Sequence, residues 1–154
     1  MQLTSTAFRE GETIPKKHTG DGEDVSPPLS WDGAPQGTKS VALICDDPDA
    51  PRSTPWVHWV VYDLPADAIE LPEATPKQES FPTGLRQGKN DFGDIGYGGP
   101  APPKGKPHRY FFKLYALDAK LELPAGATKQ QLEQAMKGHV LAHGQLMGKY
   151  QRGS

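Results

Sequence analysis

The sequence predicts a mainly β fold, a sandwich of short strands with one or two short helices. Three observations carry that expectation. Sixteen prolines and seventeen glycines are spread over 154 residues without forming a repeat, so the chain turns often between short apolar runs. Three of those runs, Ser40–Cys45, Trp56–Leu64 and Arg109–Leu117, are rich in the β-branched and aromatic residues that suit strands. Helical spacing supported by a start signal is found near residue 130.

Taken in order, Leu3–Phe8 reads as an opening strand with Thr4, Thr6 and Phe8 on one face. Arg9–Leu29 is a long ordered loop, with turns at Gly20-Asp21-Gly22 and Ser26-Pro27-Pro28. Ser30-Trp31-Asp32 is a short extended piece before the turn Gly33–Gly37. Ser40–Cys45 is apolar on both faces, as a buried strand requires. Trp56–Leu64 is a central strand in which alternation puts His58 with Val60 and Tyr62, and Val57 with Trp59 and Val61. Pro65–Asn90 is irregular and long enough to suggest a functional or well-packed loop. A third strand follows His108. Thr128-Lys129-Gln130-Gln131 fits a capping box, and Leu132, Ala135, Met136 and Val140 recur at helical spacing. The expected helix covers about 129–138, with Gly138 as its stop. Val140–Tyr150 returns to strand, with Val140, Ala142, Leu146 and Tyr150 on one face.

A chain of this length is expected to form one domain over residues 1–154. Its formal net charge of −2 gives no indication of a nucleic-acid partner. The charge is uneven, however. Residues 1–103 carry 8 basic and 16 acidic side chains, and residues 104–154 carry 9 basic and 3 acidic. In one compact domain the two parts should attract each other. The single cysteine, Cys45, excludes an internal disulfide and reads as a small buried hydrophobe. No segment approaches the ~20 apolar residues of a membrane span, and the N-terminus has no export signal, so a cytoplasmic location without stable membrane insertion is expected. Arg152-Gly153-Ser154 is either native or a remnant of expression.

The stretch Asp46-Asp47-Pro48-Asp49-Ala50-Pro51 raises a question of energetics. Three carboxylates at the end of an apolar run repel one another and are costly to bury unless donors or cations face them. An acidic surface turn is the plain reading. Asp47, His58 and His108 nevertheless stand at strand ends or interiors where apolar residues would fit. If their strands adjoin, they meet at one end of a sheet with Tyr110, and the Gly/Pro-rich segment Gly98–Pro103 runs past the same end. Two imidazoles, a phenol, an orienting carboxylate and glycine-exposed backbone suit a small anion such as a phosphate ester or carboxylate. Two His and one Asp also match a metal triad in type, which makes a metal-dependent hydrolase the alternative. Ligand spacing of the His-x-x-x-His kind is absent. No Gly-x-Ser-x-Gly accompanies Ser53 and Thr54, and Gly96-Tyr97-Gly98-Gly99 lacks the Lys of a phosphate loop. Lys104, Lys106 and Arg109 read as a solvated rim or a steering patch for an anionic ligand or partner.

Asp47-Pro48-Asp49-Ala50-Pro51, Trp56-Val57-His58-Trp59-Val60-Val61 and Gly99-Pro100-Ala101-Pro102-Pro103-Lys104-Gly105 leading into His108-Arg109-Tyr110, with Ser26–Trp31 near the start, resemble the phosphatidylethanolamine-binding protein family. The resemblance covers nearly the whole chain and is greatest to the bacterial and archaeal Raf-kinase-inhibitor-like branch. It implies that family's β-sandwich with an anion pocket at one end. Asp47, His58, His108 and Tyr110 match the pocket's side chains. Gly99, Pro100, Ala101 and Pro103 match its backbone edge, and Pro51 and Trp56 its wall. It further implies a non-enzyme without cofactor that binds phosphate esters or phospholipid head groups, that regulates a kinase or protease by protein contact, and that forms a homodimer in several prokaryotic members. Three departures stand out. Ala101 occupies a position where bacterial relatives often have Cys. The turn between Lys104 and His108 is short. The last strand is followed by no helix of the kind that borders the animal pocket, so a more open pocket is expected.

Overall fold

The computed structural model describes residues 1–152; Gly153 and Ser154, on which part of the question about the C-terminal residues turns, lie outside them. Eight strands and one α-helix follow in the order β1 (Gln2–Thr4), β2 (Leu29–Asp32), β3 (Ser40–Asp47), β4 (Trp56–Pro65), β5 (Glu70–Leu71), β6 (Arg86–Gln87), β7 (His108–Leu117), α1 (Lys129–Met136) and β8 (Val140–Tyr150). A single 3-10 turn over Lys16–His18 interrupts the first long loop. All named strands pair antiparallel, in a small sheet ordered β1-β2-β5 and a large one ordered β6-β4-β3-β7-β8.

The apolar run of β3 explains its central place, since every residue from Ser40 to Asp47 is buried. Val41, Leu43 and Cys45 face the small sheet, joining Leu3, Leu29, Trp31, Trp59 and Phe112 in one core. Ala42 and Ile44 face the other way, under α1, with Leu132 and Met136. The capping box forms as expected: Gln131 N–H donates to Thr128 Oγ1 at 3.2 Å, and Thr128 N–H to Gln131 Oε1 at 2.9 Å. The helix stops at Met136, and Gly138 supplies the left-handed backbone (φ +83°) beyond it.

Three expectations are corrected. The opening strand ends at Thr4 with Leu3 as its buried residue, and Thr4, Thr6 and Phe8 do not share a face: Thr4 and Thr6 are exposed, while Phe8, beyond the strand, is buried; a turn in which Ala7 N–H donates to Ser5 Oγ breaks the alternation. Val140 is exposed, and pairing with β7 passes from Leu117 opposite Val140 to Ala116 opposite Ala142, so a bulge at Leu141 takes Val140 off the face of Ala142 and Leu146. The third correction bears on the site. Pairing between β3 and β4 passes from Cys45 opposite Trp59 to Asp46 opposite Val57, which leaves His58 without an opposing residue. This bulge resets the alternation. Val57 joins Val60 and Tyr62 on the helix side, Trp59 and Val61 stay in the core between the sheets, and His58 leaves the Val60 face and meets Tyr110.

Candidate functional site

Because β4, β3 and β7 are neighbours, the end of β3 and the starts of β4 and β7 come together. The three carboxylates of the acidic turn are compensated there by partners from the basic C-terminal third: lysines for Asp46, an imidazole for Asp47 and a guanidinium for Asp49. Asp46, 1% exposed, accepts from Lys129 Nζ at 2.7 Å and lies 3.3 Å from Lys113 Nζ. Asp47 Oδ2 accepts from His108 Nδ1 at 2.7 Å, and its other oxygen accepts from Asp49 N–H at 2.7 Å. Asp49 receives Arg109 through its backbone N–H, Nε and a terminal nitrogen, each at 2.9 Å. The Arg109 fork holds the Asp49 carboxyl below the usual carboxylate range. The attraction expected from the uneven charge is therefore concentrated at this turn. Cys45, one residue before it, is buried, and its thiol is pushed up by that burial, in keeping with an inert hydrophobe.

The turn borders a pocket of about 180 Å³ lined by Asp47, Ala50, Pro51, Trp56, His58, Phe92, Ala101, Pro102, Pro103, His108 and Tyr110. His58 Nδ1 donates to Gly98 O at 2.6 Å, which leaves Nε2 as its second hydrogen-bonding atom. Burial pushes its pKa down, so the neutral ring is favoured. His108 spends Nδ1 on Asp47 in the same way. Tyr110 lies between the imidazoles, edge-on to His58 at 5.1 Å and stacked with His108 at 6.5 Å. Its hydroxyl is buried and has no hydrogen-bond partner among the described residues; the same holds for Trp56 Nε1. Burial, and then the Asp47 charge, keep the phenol well above its usual range, so it stays a donor.

Eight of the ten residues singled out from the sequence line this pocket: Asp47, Pro51, Trp56, His58, Ala101, Pro103, His108 and Tyr110. Gly99 and Pro100 do not. Gly99 N–H is taken by Asp24 Oδ1 at 2.6 Å, and Pro100 O accepts from Gly20 N–H at 2.8 Å. Gly99 lines instead an adjoining groove of about 440 Å³. Phe92, missed in the sequence, packs against Trp56 at 5.4 Å and His58 at 5.5 Å; an aromatic residue inside the polar run Asn90–Asp94 was the available signal. The metal reading needs correction. Among the described residues no group of three His, Cys, Asp or Glu side chains is placed to hold a metal ion, and both Asp47 oxygens are taken, by His108 and the Asp49 N–H. No described helix is long and apolar enough to cross a membrane.

The architecture is a two-sheet β-sandwich with a small, mostly apolar pocket, carrying a few polar side chains, where its central strands end. Residues 4–151 match the family model described as phosphatidylethanolamine-binding protein, and the chain belongs to that family. A UPF0098 protein of Methanothermobacter thermautotrophicus is 53% identical over 99% of this chain and 100% of its own length. Among solved structures, YbcL of Escherichia coli, described as a new member of the mammalian PEBP family, superposes with a TM-score of 0.92 at 37% identity, covering 99% of this chain and 98% of its own. The Chlamydia trachomatis protein CT736, described as a PEBP homolog, gives 0.89 at 44% identity over 99% and 97%.

Proposed function

We propose that this protein is a non-enzymatic binder that captures a small anion, a phosphate ester, carboxylate or head group, in the pocket between Asp47, His58, His108 and Tyr110. The observation that carries the reading is the buried Tyr110 hydroxyl with no protein partner. An unsatisfied buried donor costs about 1–3 kcal/mol, and an anion oxygen would recover it. The hydroxyl lies between two imidazoles whose Nδ1 atoms are already bonded, so both remaining nitrogens are oriented by the fold before a ligand arrives. His108, oriented by Asp47 through Nδ1, turns its remaining nitrogen to the anion. Neutral His58 accepts a proton carried by the ligand, or donates once it is itself protonated. The small pocket is below the ~300 Å³ of common organic-ligand sites, which fits a head group rather than a whole lipid.

A protein ligand would use the same pocket. Beyond His108, a depression lined by Lys106, Lys149 and the Asp49–Arg109 pair borders it, and the two lysines favour a phosphorylated or acidic segment, through which a kinase or protease would be regulated. The test is a titration with phosphate, phosphoethanolamine and acetate at pH 6 and pH 8, following histidine signals by NMR. Shifts at His58 and His108, larger at pH 6, are expected. Silence of both residues toward every anion would overturn the reading.

A further inference from the structure

Phe92 is an exposed apolar side chain that the fold holds with unusual care. It is 43% exposed, yet four features fix its loop. Buried Asn90 accepts the N–H groups of Phe92 and Asp94 on Oδ1, at 2.9 and 3.1 Å, and donates Nδ2 to Gly96 O at 2.9 Å. Asp91, the preceding residue, pairs with Arg52 and accepts Val57 N–H at 2.7 Å. Gly93 turns the chain with φ +86°. Gly98 leaves room for the ring, since a Cβ there would come within 2.6 Å of Phe92 Cδ2. The covered part of the ring rests on Trp56, His58 and Gly98 rather than in either apolar core, so its placement answers to something other than the core.

The ring's position supplies the reason. Phe92 and Ala101 are shared between the pocket of about 180 Å³ and the adjoining groove of about 440 Å³ lined by Ile95, Tyr97, Gly98 and Gly99. The edge of the ring rests against Trp56 and His58 on the pocket side. We infer that Phe92 is the size filter of the pocket: it walls the pocket off from the groove and restricts it to compact anions, excluding esters whose substituent would need the groove. This inference rests on the anion-capture reading above. It adds a specificity residue and a second volume that a ligand's body reaches only when the ring is removed.

The test compares inorganic phosphate with phenyl phosphate by calorimetric titration of the wild type, Phe92→Ala and Phe92→Leu. The quantity read is the ratio of the two affinities. It is expected to favour phosphate in the wild type, to shift at least tenfold toward phenyl phosphate in Phe92→Ala, and to shift less in Phe92→Leu. Adding Ile95→Trp to Phe92→Ala fills the groove and should reverse the shift. An unchanged ratio in folded Phe92→Ala, or a shift that survives Ile95→Trp, overturns the filter. If Phe92→Ala does not fold, Phe92→Leu decides by the same ratio. Failure of the wild type to bind phosphate at all overturns the capture reading itself, and that result is separate from every ratio.

Discussion

His108 Nδ1 lies 2.7 Å from Asp47 Oδ2, a bond that spans 61 residues of sequence and joins the start of β7 to the end of β3. Both groups are buried. The bond leaves Nε2 as the ring's other hydrogen-bonding atom, so under the proposed anion capture its loss would be felt in binding as well as in folding.

His108→Ala should abolish phosphate binding while leaving a folded protein. It strands a buried carboxylate, which costs on the order of 1–3 kcal/mol, against the ~5–15 kcal/mol by which domains are usually stable. Calorimetric titration and urea unfolding on the same sample check both parts. A folded variant with unchanged phosphate affinity would remove His108 from the site.

Asp46 and Lys129 form the most enclosed ion pair of the turn, with side chains 1% and 15% exposed. Lys129→Met should destabilise by up to roughly 3–5 kcal/mol, the cost of stranding one partner of a buried pair, lessened by the Lys113 that Asp46 keeps. Adding Asp46→Asn should recover part of that loss, and a double-mutant cycle measures the coupling. Additive effects would show that Lys113 alone suffices.

Burial lowers the pKa of His58 below its ordinary 6.5. The folded state therefore binds fewer protons than the unfolded chain, and stability rises with pH wherever that difference exists. The contribution is complete above about pH 6.5 and declines as pH falls below it. Unfolding of the wild type and His58→Asn at pH 7.5 and 5.5, in chloride without phosphate, should show a smaller acid loss in the variant. Equal losses would place the acid sensitivity elsewhere.

Gly88→Ala should be strongly destabilising. A Cβ there would sit 2.1 Å from Ala127 O and 2.8 Å from Val60 Cγ1, and the first of these is backbone that cannot swing aside. The cost is expected at the upper end of, or above, the ~1–3 kcal/mol of core overpacking, read as a lowered melting temperature.

Much of this arrangement is legible in the residues because local pattern and global need agree. The apolar runs of β3, β4 and β7 mark their burial, and the capping box marks the start of α1. Asp47, His58 and His108 stand out as polar groups in apolar strands, and adjacency of those strands suffices to bring them together. What alternation could not give is the bulge at His58, since an extra residue in one strand is set by pairing with another. Phe92 was hidden for a different reason. Its place depends on Asn90, Asp91 and Gly98 acting through loop geometry, which has no period to read. Gly99 and Pro100 were grouped with the pocket by motif, yet their backbone bonds go to Asp24 and Gly20.

The acidic turn also imposes an order on assembly. Its carboxylates lie at residues 46, 47 and 49, and their partners at 108, 109, 113 and 129. During synthesis, β3 leaves the ribosome with three unpaired carboxylates at its tip, and the groups that pair with them emerge about sixty or more residues later. Pairing over such separations is slow to find, and the half-made chain is kept from premature collapse at this end by its own repulsion. Asp47 at the end of β3 meets His108 and Tyr110 only once β7 is paired beside it.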